Sequence, residues 1–186
     1  MKKFFLTLFL ASDLLLSSPK ARATENTAMN GHKILTVFYS YGGNTARVAR
    51  EIQSVVGGDL YEIKSDVVYP DEYRPMTQQA KREIEQKFRP KMTGGEIDVS
   101  PYDIVFIGSP NWWGTIPTQI DSFLENHDLS GKTVVPFVTH GGGGVQNTTR
   151  DLTAACKGCS VVQNGRVGFG ADTDGVRAWV NGLNLR

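Results

Sequence analysis

Three glycine-containing loops carry the residues whose types and spacing best suit ligand binding. The first loop consists of Ser40, Tyr41, Gly42, Gly43, Asn44 and Thr45. Its glycines allow backbone N–H groups to turn toward an anion, and a helix predicted to begin at Thr45 adds positive potential. No Lys follows the glycines, which excludes a P-loop of the Walker type. The loop therefore predicts a phosphate site, although a plain strand–helix turn capped by Asn44 would use the same residues.

Two further loops offer an aromatic surface and bare backbone. The second loop consists of Ser109, Pro110, Asn111, Trp112, Trp113 and Gly114. The third loop consists of Thr139, His140, Gly141, Gly142, Gly143 and Gly144. Adjacent tryptophans on a loop predict stacking on a flat heteroaromatic ring, or burial of one of them beside a helix. Consecutive glycines are costly to order, so they favour a loop whose backbone approaches a ligand over one that is only flexible.

Apolar periodicity predicts that strands and helices alternate in the chain that carries these loops. Strands are predicted at residues 34–39, 60–64, 104–107, 133–139 and 160–163. Helices are predicted at residues 45–56, 73–88, 116–124, 145–156 and 173–183, with Pro117 in the first turn of the third. Pro136 conflicts with its strand, because proline has no N–H to donate to a ladder.

This alternation predicts an α/β fold, in which helices cover both faces of a doubly wound five-stranded parallel sheet as a three-layer α/β/α structure. In such sheets ligands bind beyond the carboxyl ends of the strands, where the strand order reverses. The three loops follow the first, third and fourth strands, so we expect them to meet at one edge. A phosphate site, an aromatic surface and bare backbone at that edge predict a mononucleotide with a flat ring.

Residues 1–23 have the layout of a secretory signal peptide. Lys2 and Lys3 precede an apolar run, and Ala21-Arg22-Ala23 places small residues at −3 and −1 of a cleavage site. The run is too short to span a bilayer, which needs about 20 apolar residues. We therefore expect a periplasmic or secreted protein without stable membrane insertion. The expected division is a signal peptide at residues 1–23, an extension at 24–32 and a domain at 33–186.

The composition excludes several other classes of protein. Hydrophobic residues make up 40% and charged residues 21% of the chain, which argues against a disordered or multi-span membrane protein. The net charge is +1 and becomes −2 without residues 1–23, which hold four basic residues and one acidic residue. With no basic run, we expect no nucleic-acid partner. No metal-ligand spacing or nucleophilic triad is present in the sequence, so we predict no metal and no catalytic residue.

The two cysteines form a C-x-x-C pair at Cys156 and Cys159. Redox catalysis of the thioredoxin type needs such a pair at a helix start, where the helix dipole stabilises a thiolate. Here the pair follows a predicted helix, and Gly158 resembles its cap. A structural disulfide or two plain thiols are therefore favoured over a redox-active pair.

Taken together, the three loops make the chain resemble the flavodoxin family from about Lys33 to Leu183. The resemblance implies the strand order 2-1-3-4-5 and a noncovalently bound FMN. It implies that residues 40–45 hold the phosphate, while residues 109–114 and 139–144 flank the isoalloxazine ring. Trp113-Gly114 matches the family's stacking and peptide-rotation positions. The spacing is similar to that of short-chain members, without an insertion in the last strand.

The chain also departs from the family's pattern. Gly42 stands where the family often has a second Thr, and the third loop lacks the Tyr that many members stack on the outer face of the ring. Either Trp112, Tyr41 or His140 takes that place, or the outer face of the ring lies open.

The resemblance implies a low-potential electron carrier between protein redox partners. The alternative is an FMN-dependent NAD(P)H:quinone-type oxidoreductase. The carrier is favoured because the loops contain no Arg pair for a nicotinamide phosphate, and because no long insertion could cover a substrate.

Overall fold

Strands with buried side chains alternate with amphipathic helices along the chain, as the apolar periodicity predicts. The computed structural model describes Met29, residues 31–183 and Leu185, so the predicted signal peptide and its cleavage site lie outside the described residues. The strands are β1 (Ile34–Phe38), β2 (Asp59–Glu62), β3 (Ile104–Pro110), β4 (Thr133–His140), β5 (Ser160–Val161) and β6 (Arg166–Phe169). The helices are α1 (Asn44–Val56), α2 (Tyr73–Glu85), α3 (Thr118–Asn126), α4 (Thr148–Ala155) and α5 (Val176–Asn181). Within this described range, none of the helices combines the length and apolarity that crossing a membrane requires.

A parallel sheet with the strand order β2-β1-β3-β4-β5 forms the middle layer, which confirms the predicted doubly wound α/β fold. Successive side chains of a strand point to opposite faces of the sheet. Phe38 and Phe106 pack with residues of α1 and α5 on one face. Val37 and Ile107 pack with residues of α3 and α4 on the other face. The central strands are therefore covered on both sides and form a rigid base for the loops at their ends.

The strands that lead to the predicted loops are longer than the sequence indicates. β3 continues through Ser109 to Pro110, and β4 continues through Thr139 to His140. These residues pair with each other across the two strands, with Pro110 opposite Thr139. The predicted strand at 104–107 was thus too short, and the first residues of the second and third loops belong to the sheet. Their positions are fixed by backbone hydrogen bonds rather than by loop conformation.

Positive backbone φ angles explain why several predicted helices are too long. α2 ends at Glu85 rather than at residue 88, because Lys87 adopts a φ of 51°. α4 begins at Thr148 rather than at residue 145, because Gln146 adopts a φ of 44°. The last helix is confined to residues 176–181, and it follows Gly175, whose φ is 73°.

Helix and strand starts differ from the prediction at two further places. Pro117 does not lie in the first turn of α3; it is extended, with a ψ of 155°, and immediately precedes the helix. β2 lies at residues 59–62 rather than 60–64, because its pairing with β1 runs from Leu35 opposite Asp59 to Phe38 opposite Glu62.

Pro136 lies inside β4, and the neighbouring edge of the sheet is interrupted beside it. The Val162 N–H donates to the Val134 carbonyl, and the Gly170 N–H donates to the His140 carbonyl, so even-numbered residues of β4 face β5 and β6. Pro136 therefore faces the break between these two short strands, where it interrupts no paired residue of either strand. A Cβ on Gly165 would lie 2.6 Å from the Pro136 carbonyl oxygen, so the chain passes closely there. The single predicted strand at 160–163 is thus two pieces, β5 and β6.

Cys156 and Cys159 form a disulfide directly after α4. The short loop that they enclose contacts the turn before β4, because the Gly131 N–H donates to the Gly158 carbonyl at 2.9 Å. The disulfide follows the end of its helix, as the sequence predicts, and it contributes to holding the end of α4 against the sheet.

Candidate functional site

A cleft of about 780 Å³ lies at the carboxyl ends of β1, β3 and β4, with α2 along one side. Its volume is within the roughly 300–1,000 Å³ typical of small-molecule sites. Most of the residues predicted from the three loops form its wall. They are Ser40, Tyr41, Gly42, Asn44, Thr45, Pro110, Asn111, Trp112, Trp113, Gly114, Thr139, His140, Gly141 and Gly143.

Four predicted residues do not line the cleft but shape the backbone behind it. Ser109 is fully buried, and its hydroxyl donates to the Pro110 carbonyl at 2.9 Å. Gly43 precedes α1 in the left-handed region, with a φ of 85°. Gly142 and Gly144 also have positive φ angles, 122° and 71°, which allow the backbone of the third loop to turn.

The first loop provides no group that balances the positive end of the α1 helix dipole. The residue before the helix is Gly43, and no side chain caps the helix, so Asn44 is not the cap that the alternative interpretation required. The first turn also contains no acidic residue. Within the described residues, the buried Ser40 Oγ has no hydrogen-bond partner. Unsatisfied N–H groups, an unpaired hydroxyl and the helix dipole together form a site that suits an anion.

Thr45 connects the first loop to the third. Its side chain is buried, and its Oγ1 lies 2.8 Å from Thr139 Oγ1. When the Thr139 hydroxyl donates, the Thr45 hydroxyl keeps its own hydrogen for another acceptor. The two β-branched side chains therefore link the start of α1 to the end of β4.

The second loop is a tight turn that projects Trp113 into the cleft. Trp112 and Thr115 exchange two backbone hydrogen bonds of 3.0 and 3.1 Å, with Trp113 and Gly114 between them. Both central residues have positive φ angles, 53° and 85°, as a type I′ turn requires. A bulky residue in this conformation is uncommon and occurs where neighbouring contacts hold it, often at functional sites.

The two tryptophans have different environments. Trp113 is 56% exposed, its Nε1–H donates to the Thr77 carbonyl of α2 at 2.8 Å, and the Lys81 ammonium lies 5.1 Å from its ring centroid. Trp112 is half-buried and makes edge-to-face contacts with Tyr69 and Tyr39, at centroid distances of 5.3 and 5.6 Å. Trp113 thus forms a wall fixed to α2, whereas Trp112 joins the cleft to an aromatic cluster behind it.

Helix α2 supplies a side of the cleft that the sequence did not predict as part of the site. Tyr73, Met76, Thr77 and Ala80 line the cleft and follow the i, i+3, i+4, i+7 spacing of one helix face. The sequence placed Met76 and Ala80 in a predicted helix and gave them no role at the site. The spacing itself identifies the face, but it does not show that this face borders a cleft. Gln146, which follows the glycine loop, was also missed.

A polar network holds the aromatic cluster against the cleft. The Tyr69 hydroxyl donates to the Glu83 carboxylate and accepts from Gln119 Nε2 at 2.9 Å. Gln79 Nε2 donates to the other Glu83 oxygen at 2.9 Å. Burial, followed by the hydrogen bond to Glu83, raises the pKa of Tyr69, and burial raises the pKa of Tyr39. Both phenols therefore stay protonated to a higher pH than an exposed tyrosine does.

The folded protein should lose stability at alkaline pH, and Tyr69 should contribute to this loss. In the unfolded chain a tyrosine ionises near pH 10, whereas folded Tyr69 keeps its proton to higher pH. The free energy of unfolding should therefore be fully retained below pH 10 and fall as the pH rises further. In Tyr69→Phe the fall between pH 10 and 11 should be shallower, by up to about 1.4 kcal/mol per pH unit, in urea unfolding. Equal slopes for both proteins would contradict the prediction.

Comparison with known proteins identifies the family. A family model described as Flavodoxin matches residues 33–183. No curated protein matches the chain. Among solved structures, a candidate flavoprotein from Bacteroides uniformis is 30% identical with a TM-score of 0.72, covering 81% of this chain and 98% of that one. A second, from Bacteroides eggerthii, is 33% identical with a TM-score of 0.69, covering 83% and 99%.

A flavoprotein from Lactobacillus acidophilus, solved in complex with FMN, is 26% identical with a TM-score of 0.64. The alignment covers 80% of this chain and 99% of that one. The family model spans the whole sheet and every helix from α1 to α5. On this evidence the chain belongs to the flavodoxin family.

Proposed function

We propose that the chain binds FMN in this cleft and carries electrons between protein redox partners. The observation that carries the proposal is one cleft that is bordered by both an anion site and an aromatic wall. The Lactobacillus acidophilus relative in complex with FMN supports the choice of ligand. When bound, FMN supplies an isoalloxazine ring that takes up one or two electrons.

The first loop fits the phosphate of FMN. Ser40 Oγ, which has no partner among the described residues, and the uncapped start of α1 provide donors and positive potential, and no lysine is required. The Thr45 hydroxyl, which can donate when Thr139 donates to it, adds a further group. A carboxylate in the first turn would repel the phosphate, and the first turn of α1 has none.

The second and third loops fit the ring. Trp113 offers a broad aromatic surface on the cleft wall, and Trp112 lines the same cleft. A Cβ on Gly141 would meet nothing within 4 Å, so the third loop presents bare backbone on that side. Tyr41, which is 41% exposed, and His140 also line the cleft and are the further candidates for the outer face of the ring.

The charges around the cleft favour a carrier over a nicotinamide-dependent reductase. Among the described residues that line the cleft, none is Lys or Arg. Lys81 lies over Trp113, but its ammonium is 3.7 Å from the Glu85 carboxylate, so its charge is shared. Arg47 and Arg50 are exposed on α1 outside the cleft wall. A nicotinamide phosphate would therefore meet no free cation beside the ring.

Thr45→Val should weaken FMN binding by about tenfold to a hundredfold, because a hydrogen bond to a charged group contributes roughly 1.5–3 kcal/mol. Riboflavin, which lacks the phosphate, should bind almost as it does to the unchanged protein. Fluorescence titration of FMN-free protein measures both affinities. Thr36→Val is the matched control, because Thr36 is buried in β1 and its Oγ1 has no partner among the described residues. Equal losses for FMN and riboflavin would exclude the role assigned to Thr45.

The FMN-loaded protein should not oxidise NADH or NADPH at an appreciable rate without a separate reductase, because the cleft wall supplies no cation for the nicotinamide phosphate. Anaerobic mixing with NADPH, with and without a quinone, checks this through the flavin absorbance. Dithionite serves as the positive control for reduction. Rapid bleaching by NADPH followed by quinone reduction would replace the carrier with the oxidoreductase alternative.

We further propose that the protein is exported and begins at Thr24. The basic start, the apolar run and the Ala21-Arg22-Ala23 site support export. The disulfide between Cys156 and Cys159 is an independent support, because disulfides persist mainly in oxidising compartments.

Intact-mass measurement on the periplasmic and cytosolic fractions of a Gram-negative expression host tests export. The expected species lacks residues 1–23 and is two mass units lighter than its reduced form, because one disulfide is closed. A chain in the cytosol that still begins at Met1 would be the opposite result. Ala23→Tyr should block cleavage, because the site requires a small residue at −1.

A further inference from the structure

The glycine-rich loop at residues 141–144 has little packing to hold it in place. A Cβ at Gly141, Gly142 or Gly144 would meet nothing within 4 Å, so these residues border open space. Glycine also loses more conformational freedom on ordering than any other residue. The loop must therefore be ordered by hydrogen bonds or else remain loose until a ligand binds.

Few hydrogen bonds within the described residues reach this loop. The Gly142 N–H donates to His140 Nδ1 at 3.1 Å, but this bond joins two residues of the same loop. The Gly144 carbonyl accepts from Asn111 Nδ2 at 2.5 Å, and Asn111 belongs to a different loop. Asn111 thus provides the side-chain link from the glycine-rich loop to the rest of the cleft wall.

The other side of the Asn111 amide holds the tryptophan turn. Its Oδ1 accepts from the Gly114 N–H at 2.9 Å, and its backbone N–H donates to the Thr139 carbonyl at 2.8 Å. The amide therefore lies between a backbone donor in one loop and a backbone acceptor in the other. Only a side chain that carries both a donor and an acceptor satisfies the two at once, which an ionised aspartate or a leucine cannot do.

We propose that Asn111 is a positioning residue, which clamps the glycine-rich loop to the Trp113-Gly114 turn and so forms the cleft before the ligand arrives. Ordering the loop in advance removes that entropy cost from the binding step. A neighbouring link acts in the same direction, because the Asn147 N–H donates to the Gly114 carbonyl at 2.9 Å. The consequence for FMN affinity rests on the proposed function, whereas the clamp in the FMN-free protein does not.

Two substitutions separate the two hydrogen bonds of the clamp, which are the bond to the Gly144 carbonyl and the bond from the Gly114 N–H. Asn111→Asp keeps an oxygen for the Gly114 N–H but places a second oxygen against the Gly144 carbonyl. Asn111→Ala removes both hydrogen bonds. In FMN-free protein, hydrogen–deuterium exchange at the Gly142 N–H, which donates to His140 Nδ1, should accelerate by about tenfold in both variants because the released loop opens this bond. Exchange at the Gly114 N–H should accelerate in Asn111→Ala and much less in Asn111→Asp. Exchange in β1 and β3 should stay unchanged.

FMN titration gives the second readout. Both variants should bind FMN about tenfold more weakly. Asn126→Asp, at an exposed position at the end of α3, is the matched control and should alter neither readout. Unchanged exchange at the Gly142 N–H in both variants would overturn the clamp, and so would global unfolding of both, since the clamp is local. If the unchanged protein fails to bind FMN, the proposed function fails, while the exchange experiment still decides the role of Asn111.

Discussion

Because β1, β3 and β4 are adjacent parallel strands, the loops that follow them leave the sheet at the same edge, and the whole candidate site depends on this constraint. The register brings Phe38 beside Gly108 and Pro110 beside Thr139, so the loops start at nearly the same level. Core side chains on both faces fix the strands, and the side chains of Ser109 and Thr139 are already buried where the loops begin. The sheet thus fixes where the loops begin, and the loops carry the groups that would contact a ligand.

The loops contain several local features that would lower the stability of an ordinary surface loop. The start of α1 has no cap, Ser40 Oγ has no partner among the described residues, and Trp113 adopts a φ of 53°. Such departures from good local structure tend to concentrate where a ligand later compensates them. Here the start of the uncapped helix, the hydroxyl and the constrained tryptophan all border one cleft, which suits a ligand with an anionic group and a flat ring.

The sequence could predict those parts of the fold and site that depend on local patterns. Continuous apolar runs identify β1, β3 and β4, and the glycines and tryptophans mark the loops after them. It could not predict the break between β5 and β6, because the gap depends on Pro136 in a neighbouring strand. It also could not show that the Met76 face of α2 lines the cleft, because the spacing is the same whether a helix face covers a core or borders a cleft. Boundaries set by positive φ at non-glycine residues, such as Lys87 and Gln146, have no signal in the pattern of residue types.

Polar contacts hold the glycine-rich loop and the Trp113 side chain, and the composition of these segments explains why. A glycine-rich loop has no side chains to bury, so its place must be set by hydrogen bonds to its backbone, as Asn111 does at Gly144. The tryptophan turn is held in the same way, through the Trp113 indole on the Thr77 carbonyl. Hydrogen bonds are directional, so they can fix a loop without filling the space in front of it. A site built in this way keeps bare backbone and an aromatic face open to a flat ligand while the loops around it stay ordered.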